Sequence, residues 1–235
     1  MKKNKRKIYV IGFNTFSFDD LPLNIKELFK RIENIAIPES FFDETKKLLS
    51  ERLAKDKNFF PSRSDNTLIE WLKFIDNDVI LISRGDPLWY GIGRILLKHF
   101  SQEELLFYPS KTCVQLAFSR LKRPWQGTKT VSIHGRDSKA LINSLIKKEK
   151  SIAILTDPKN NTLDLIRKNL KELNLEKCYE FWLLEELGNE KEKISLISDE
   201  KDLPKVISEL NLVVLLQKKS KSKISPLPLF EINDN

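Results

Sequence analysis

The sequence predicts an α/β protein of two lobes, with a mainly parallel N-terminal sheet, a mixed C-terminal sheet and a cleft between them. Three observations predict this fold. Short apolar runs alternate with amphipathic helical stretches, as in parallel sheets whose faces are both covered. A hinge at Pro124 and Gly127 separates two such sets. A glycine-rich turn follows the apolar run 79–82, at the carboxyl end of a strand, where open α/β sheets bind ligands.

The N-terminal lobe is predicted to span residues 1–121. Its strand-like runs are short and apolar with little polar alternation, which indicates burial on both faces. The predicted strands cover residues 7–11, 34–37, 58–61, 79–83 and 105–108. The predicted helices cover residues 25–32, 42–53, 67–74 and 112–121, with a further helical stretch that opens at Gly91 and Gly93.

The C-terminal lobe is predicted to span residues 122–218. Its predicted strands cover residues 130–134, 152–156, 179–184, 193–197 and 212–217. Its predicted helices cover residues 138–147, 161–173 and 203–210, the last with Pro204 in its first turn. The last three strands are close enough in sequence to pair antiparallel, so the second sheet is expected to be mixed. Residues 219–235 form a basic and proline-containing tail, which is typical of a linker.

Composition and charge limit the function classes. The 235 residues are 40% hydrophobic and 31% charged, which is ordinary for a globular protein with a substantial core. No apolar run approaches the ~20 residues that span a bilayer, and the apolar run after the basic N-terminus is too short for a signal peptide, so a cytoplasmic protein is expected. The net charge of +8 is compatible with a nucleic acid, an anionic membrane or a polyanionic small molecule. It is equally compatible with solvated helices rich in lysine and glutamate.

The cysteines and histidines predict neither a disulfide nor a metal site. Cys113 and Cys178 lie far apart without partner spacing, and His99 and His134 are too few for a multi-histidine site.

The turn after the run 79–82 carries the most information. Residues 83–93 read Ser-Arg-Gly-Asp-Pro-Leu-Trp-Tyr-Gly-Ile-Gly. This segment closely resembles the corresponding turn of the tetrapyrrole methylase family, and within it the branch that methylates precorrins in cobalamin synthesis, the C5,15-methyltransferases. Further similar segments follow in the same order at 108–118, 124–126, 131–136, 155–157 with 161–162, and 185–188. The resemblance thus spans roughly residues 7–217 and is strongest in the middle.

Two positions depart from the family pattern. The first loop keeps only Gly12, where the family carries two or three glycines along the substrate cleft. Arg84 stands where a small residue is usual, and its guanidinium either clamps a carboxylate or faces solvent. The departure in the first loop concerns the placement of the substrate more than that of the cofactor.

The resemblance implies an S-adenosylmethionine-dependent methyltransferase that acts on a carbon, C5, of a precorrin macrocycle. The cofactor-binding residues it implies are Gly85, Asp86, Leu88, Gly91, Thr112, Cys113, Leu155 and Thr156. The substrate-binding residues are Gly12, Arg84 and Arg136, with His134 as a proton acceptor. For Asp86, hydrogen bonding to the ligand and fixing of the turn are equally compatible with the sequence. For His134, a structural hydrogen bond is the alternative.

The same resemblance implies partners. A homodimer is the habit of the family, and the tail at 219–235 is similar to the linker that leads into a decarboxylating C15 methyltransferase domain in fused members. A nucleic-acid partner and a membrane are not expected. The alternatives are a family member that acts on uroporphyrinogen or ribosomal RNA, and a degenerate member that binds a ligand without turnover.

Overall fold

The computed structural model describes residues 6–13, 18–53, 56–133, 137–157 and 161–218. Within these ranges every helix lacks the length or the apolar character needed to cross a bilayer. Two five-stranded sheets form the framework, one from residues 8–108 and the other from residues 129–217. The tail predicted at 219–235 lies outside the described residues.

The first sheet is entirely parallel, with the strand order β3-β2-β4-β1-β5. Its strands are β1 (Ile8–Gly12), β2 (Asn34–Pro38), β3 (Asn58–Ser62), β4 (Val79–Ser83) and β5 (Leu105–Tyr108). The helices are α1 (Leu23–Arg31), α2 (Phe42–Arg52), α3 (Asp65–Phe74) and α4 (Gly93–His99). The predicted parallel sheet is confirmed, and the predicted strands agree with these bounds to within one residue.

Alternate residues of the first sheet feed two hydrophobic clusters. Tyr9 and Ile11 of β1 pack with Phe29 of α1 and Leu49 of α2 on one face. Ile8 and Val10 pack with residues of α3 and α4 on the other face. Covering both faces leaves the carboxyl ends of the strands as the open edge, which is where ligands bind in such sheets.

The second sheet is mixed, as predicted, with the strand order β6-β7-β10-β8-β9. It contains β6 (Lys129–Ser132), β7 (Ser151–Leu155), β8 (Tyr179–Glu185), β9 (Lys193–Ile197) and β10 (Asn211–Gln217). The pair β6–β7 is parallel, and the remaining pairs are antiparallel. The helices are α5 (Cys113–Leu121), α6 (Lys139–Ile146) and α7 (Thr162–Glu172). The helices α6 and α7 cover one face.

Helix α5 connects the two halves of the fold. It follows β5 in sequence, yet its buried residues Val114, Ala117 and Phe118 pack against Leu212 and Val214 of β10. The N-terminus of α5 therefore lies between the two sheets, beside the open edge of the first.

The helix predicted over residues 203–210 is wrong, because this segment satisfies its backbone outside a helix. The amide of Ser208 donates to the buried carboxylate of Glu185 at 2.8 Å, and the carbonyl of Leu210 accepts from Glu186 N at 2.9 Å. The Ser208 hydroxyl accepts from Leu210 N at 3.2 Å. Serine competes in this way with helical hydrogen bonds, and Pro204 contributes no amide donor.

Candidate functional site

A cavity of about 440 Å³ lies between the two sheets. Its volume falls within the roughly 300–1,000 Å³ of small-molecule sites. The first sheet contributes the turn that follows β4, and α2 contributes Glu44, Thr45 and Leu48. The second sheet contributes the ends of β7, β8 and β10, and the start of α5 closes the cavity between them.

The turn after β4 is held by its own backbone and by Asp86. The Asp86 carboxylate accepts a hydrogen bond from Leu88 N at 2.8 Å, and the Asp86 carbonyl accepts from Trp89 N at 3.1 Å. Gly85 and Tyr90 adopt left-handed backbone with φ of 59° and 54°. This conformation is free of strain for glycine and costly for tyrosine, so the surrounding contacts must hold Tyr90 in place.

Gly91 and Gly93 allow the turn to fold back on itself. A Cβ at Gly91 would lie 2.6 Å from the carbonyl oxygen of Pro87, and one at Gly93 would lie 2.7 Å from the same atom. That oxygen accepts from Gly93 N at 2.8 Å, which ties the turn to the first residue of α4. The glycines therefore create a compact turn with backbone groups facing the cavity.

Thr112 starts α5 at the cavity wall. Its hydroxyl accepts from Gln115 N at 3.2 Å, and the Gln115 side chain accepts from Thr112 N at 2.8 Å. This reciprocal pair is a capping box and accounts structurally for both residues. The predicted contact of Thr112 with a cofactor remains a prediction.

Cys113, the first residue of α5, lines the cavity with a protonated thiol. Burial raises the pKa of this thiol to about 11. A thiol whose pKa is higher in the folded than in the unfolded state stabilises the fold below the unfolded pKa of about 8.5 and loses that contribution as the pH rises toward 11. Cys113 is therefore not a nucleophile at neutral pH.

We expect iodoacetamide at pH 8 to alkylate Cys178, which is exposed, and to leave Cys113 unmodified in the folded protein. Only about one Cys113 thiol in a thousand is ionised at that pH. Mass spectrometry of tryptic peptides gives the extent at each site. Cys113 should react as the pH approaches 11 or after unfolding, and Cys178→Ser should remove the rapid reaction. Equal labelling of the two residues at pH 8 would contradict the raised pKa.

The second sheet supplies an apolar wall. The cavity is lined by Leu155 of β7, Leu184 of β8, Leu212 of β10 and Leu210, which lies just before β10. Thr156 does not line the cavity. Its buried hydroxyl lies 2.8 Å from the backbone carbonyl of Asn211 and 2.7 Å from its side-chain oxygen, and so positions a residue that does.

The turn between β8 and β9 closes one side of the cavity with Glu186, Leu187 and Asn189. Glu186 accepts from the Asn189 side chain at 2.9 Å and from the Ser208 hydroxyl. An ion pair of 2.6 Å between Arg120 of α5 and Glu192 fastens the same turn to the helix. Hydrogen bonding to Arg120 lowers the pKa of Glu192.

Arg84 lies where the turn after β4 meets α2. Its guanidinium carbon sits 4.4 Å from the centroid of the Phe41 ring, which is a cation–π contact. Desolvation in the cleft lowers the pKa of Arg84, whereas attraction to Glu186 and Glu44 raises it. An arginine titrates far above neutral pH, so the side chain is a cation with an acidic residue from each half of the fold beside it.

The structure brings together most of the residues predicted from the sequence. The predicted residues in the cavity lining are Arg84, Gly85, Asp86, Gly91, Thr112, Cys113 and Leu155. Leu88 is half exposed and lies outside the lining, as does Thr156. Gly12 lies beneath the turn instead, since a Cβ there would come within 1.9 Å of the Gly85 carbonyl oxygen. His134 and Arg136 lie outside the described residues.

Sequence reasoning missed the residues that come from α2 and from the end of β8 through β10. Glu44, Thr45 and Leu48 are ordinary positions of an amphipathic helix, with no local pattern that indicates a site. Glu186 and Leu187 fall within the segment 185–188 that carried the family resemblance, which was a signal for them.

Solved structures share this fold along nearly the whole chain. The precorrin-6Y methylase of Archaeoglobus fulgidus gives a TM-score of 0.64 at 21% identity, covering 90% of this chain and 98% of that one. A uroporphyrin-III C-methyltransferase of Thermus thermophilus, solved in complex with S-adenosylhomocysteine, gives 0.62 at 16% identity, covering 89% and 96%. At these identities the likeness establishes the fold alone.

Curated relatives match about half of the chain. A probable cobalt-precorrin-7 C5-methyltransferase of Methanocaldococcus jannaschii is 29% identical over 123 residues, which are 51% of this chain and 56% of the relative. The cobalt-precorrin-7 C5-methyltransferase of Salmonella typhimurium is 26% identical over 102 residues, 43% of this chain and 49% of the relative. The chain thus spans about half the length of the curated relatives it matches.

A sequence model of one family covers most of the chain. The model described as Tetrapyrrole (Corrin/Porphyrin) Methylases matches residues 7–203. This region includes the strands β1 to β9 and most residues of the cavity lining. The chain belongs to the tetrapyrrole methylase family.

Proposed function

We propose that this protein binds S-adenosylmethionine in the cavity between the sheets and transfers its methyl group to a ring carbon, C5, of a precorrin in cobalamin synthesis. The observation that carries the proposal is the cavity itself, which joins the glycine-rich turn after β4 to an apolar wall from the second sheet. The names of the curated relatives from Methanocaldococcus and Salmonella support the C5 position.

The residues of the cavity fit the cofactor. The leucine side chains of the second-sheet wall suit a flat adenine ring, since they offer apolar surface without a competing charge. Gly85 and Gly91 of the turn line the cavity, and their backbone amide and carbonyl groups suit the polar amino-acid end, because such groups form hydrogen bonds with charged ligand groups. The cavity thus combines an apolar wall with a turn of polar backbone groups, which suits the two different ends of the cofactor.

When bound, S-adenosylmethionine supplies an electrophilic methyl group on its sulfonium. The chain therefore has to align the ring carbon with that methyl group and to exclude water. Such alignment accounts for a rigid turn, fixed by Asp86 and the Pro87 carbonyl, facing a wall fixed by the Thr156–Asn211 contact. A proton acceptor assists where the ring carbon loses a proton, and His134 remains the prediction for that role.

Methyl transfer to candidate substrates tests the proposal. The protein is first titrated with S-adenosylhomocysteine by calorimetry, and then incubated with methyl-labelled S-adenosylmethionine and either a precorrin pool or ribosomal RNA. A parallel incubation offers uroporphyrinogen. We expect binding of S-adenosylhomocysteine and label in the corrinoid fraction only. Label in RNA would favour the RNA-modifying alternative, and label in uroporphyrinogen would favour the other tetrapyrrole substrate. Binding without transfer to any of the three would favour a non-catalytic member.

The homodimer, the fused C15 domain and the domain boundary at residue 121 remain predictions. Sedimentation of the purified protein measures the first of these directly.

A further inference from the structure

A second cavity, of about 310 Å³, adjoins the first at the open edge of the N-terminal sheet. It lies at the carboxyl ends of three neighbouring strands, marked by Pro38 of β2, Ser62 of β3 and Ser83 of β4. The two cavities share Phe41, Ser83 and Arg84 in their linings. The two cavities therefore lie side by side, and Arg84 is accessible to a ligand in either one.

The second cavity has an apolar floor and a polar rim. Leu68, Leu81 and Ile92 contribute apolar side chains to it. The charged residues of its described lining are two arginines, Arg63 and Arg84, and one aspartate, Asp65. The serine hydroxyls of the lining belong to Ser40, Ser62, Ser64 and Ser83. Apart from Asp65, the rim thus consists of groups that donate hydrogen bonds to anions.

The backbone adds to the positive character of this rim. Helix α3 starts at the cavity, with Ser64 as its N-cap accepting from Thr67 N at 3.3 Å. The N-terminal end of this 10-residue helix carries a partial positive charge. The carboxylate of Asp65, in the first helical turn, offsets part of this positive charge. The two arginines therefore determine that the cavity favours a negatively charged ligand.

Arg63 forms an ion pair that a ligand carboxylate can replace. It pairs with Glu39 through a 2.9 Å contact from Nε to Oε2, and 74% of its side-chain surface is exposed. Exposed ion pairs of this kind contribute little to stability. A substrate carboxylate can therefore compete with Glu39 for Arg63 at small cost.

We propose that the second cavity binds a peripheral acetate or propionate arm of the substrate, with Arg84 and Arg63 pairing to its carboxylate. The inference rests on the proposed function, because it assigns the second cavity to an arm of the macrocycle and the first cavity to the cofactor. An acetate or propionate arm combines a short apolar stem with a carboxylate, which matches the floor and the rim. Arginine suits the carboxylate because its planar fork makes two parallel hydrogen bonds.

Binding of a carboxylated macrocycle tests the proposal without turnover. The probe is uroporphyrin, which carries acetate and propionate groups, titrated by calorimetry into the protein saturated with S-adenosylhomocysteine. We expect Arg84→Gln and Arg63→Gln each to raise Kd about fivefold to tenfold, since each removes one charge-assisted contact at a partly exposed site. Arg31→Gln removes the same charge at the opposite edge of the sheet, beside Asp78, and should leave Kd unchanged.

A further variant gives an effect of opposite sign. Glu39→Gln releases Arg63 from its ion pair and should lower Kd for uroporphyrin, an outcome that loss of structure does not produce. The affinity for S-adenosylhomocysteine should be unchanged in Arg63→Gln, which distinguishes a substrate carboxylate from that of the cofactor.

Failure of the proposed function and failure of the carboxylate subsite give different results. If the wild-type protein fails to bind S-adenosylhomocysteine, the proposed function fails with it. If it binds S-adenosylhomocysteine but not uroporphyrin, or if Arg31→Gln weakens binding as much as Arg84→Gln does, the carboxylate subsite alone is overturned. The carboxylate subsite is also overturned if Arg63→Gln weakens the binding of S-adenosylhomocysteine and of uroporphyrin equally.

Discussion

Replacing Gly12 with alanine should lower the midpoint of thermal unfolding by roughly 10 °C and weaken the binding of S-adenosylhomocysteine at least about tenfold. The new Cβ would lie 1.9 Å from the carbonyl oxygen of Gly85 and 2.6 Å from the amide nitrogen of Ser110. These two groups form a hydrogen bond of 3.1 Å with each other. Overpacking against rigid backbone together with the loss of that bond costs about 3 kcal/mol, which is roughly 10 °C for a chain of this length.

The affinity falls because Gly12 supports the turn that carries the cavity wall. Displacing the Gly85 carbonyl moves Asp86 and the residues that follow it. Differential scanning calorimetry and titration calorimetry measure the two effects separately. The matched control is Gly127→Ala, where φ is 75° and a Cβ meets nothing within 4 Å. Its cost of about 1 kcal/mol comes from backbone strain alone, and the affinity for S-adenosylhomocysteine should not change. Equal losses in the two variants would show that the close approach at Gly12 is unimportant.

The structural role of Gly12 could not be predicted from the sequence. The family resemblance placed it along the substrate cleft, on the basis of its position after the first strand. The structure places it under the turn after β4, where a Cβ would collide with Gly85 and Ser110, which are 73 and 98 residues further along the chain. Such a requirement arises from the packing of β1 beside β4 and β5, and no local pattern encodes it.

The strands were predictable because each is a short apolar run between turn residues, and a strand that is buried on both faces accommodates few polar residues. The prediction of a helix over the segment 203–210 was wrong because its conformation depends on a distant residue. Its spacing of apolar residues and its proline favour a helix, but the carboxylate of Glu185, on a strand about 20 residues away, captures the Ser208 amide. Interactions between distant segments decide such cases, and a single sequence does not display them.

The residues of the candidate site also fall into a group with local sequence signals and a group brought in by distant segments. The turn 83–93 and the start of α5 are continuous segments whose glycines, prolines and capping residues have local causes, so they could be identified. The side of the cavity formed by Glu44 of α2, by Leu210 and by Leu212 of β10 exists only because the two sheets meet there. Arg84 belongs to both categories, since its position was evident from the sequence and its two acidic neighbours were not.

Replacing Asp86 with alanine should weaken the binding of S-adenosylmethionine about tenfold, whereas asparagine should retain it within about threefold. The Asp86 side chain already accepts from Leu88 N at 2.8 Å, and asparagine offers an oxygen in the same place. Loss of that bond frees the turn that lines the cavity, at a cost in affinity comparable to one hydrogen bond. Titration calorimetry with S-adenosylmethionine measures both variants.

Asp137→Ala provides the matched control. Asp137 accepts from Lys139 N at 3.2 Å, the same contact two residues along the chain, and it lines neither cavity. Its loss should leave the affinity for S-adenosylmethionine unchanged. If asparagine at position 86 weakens binding as much as alanine does, the negative charge itself contacts the ligand, and fixing the turn is not the main role of Asp86. If it does not, the rigidity of this turn is what the glycines, the Pro87 carbonyl and Asp86 jointly provide, and the cofactor affinity depends on backbone geometry more than on any single side-chain contact.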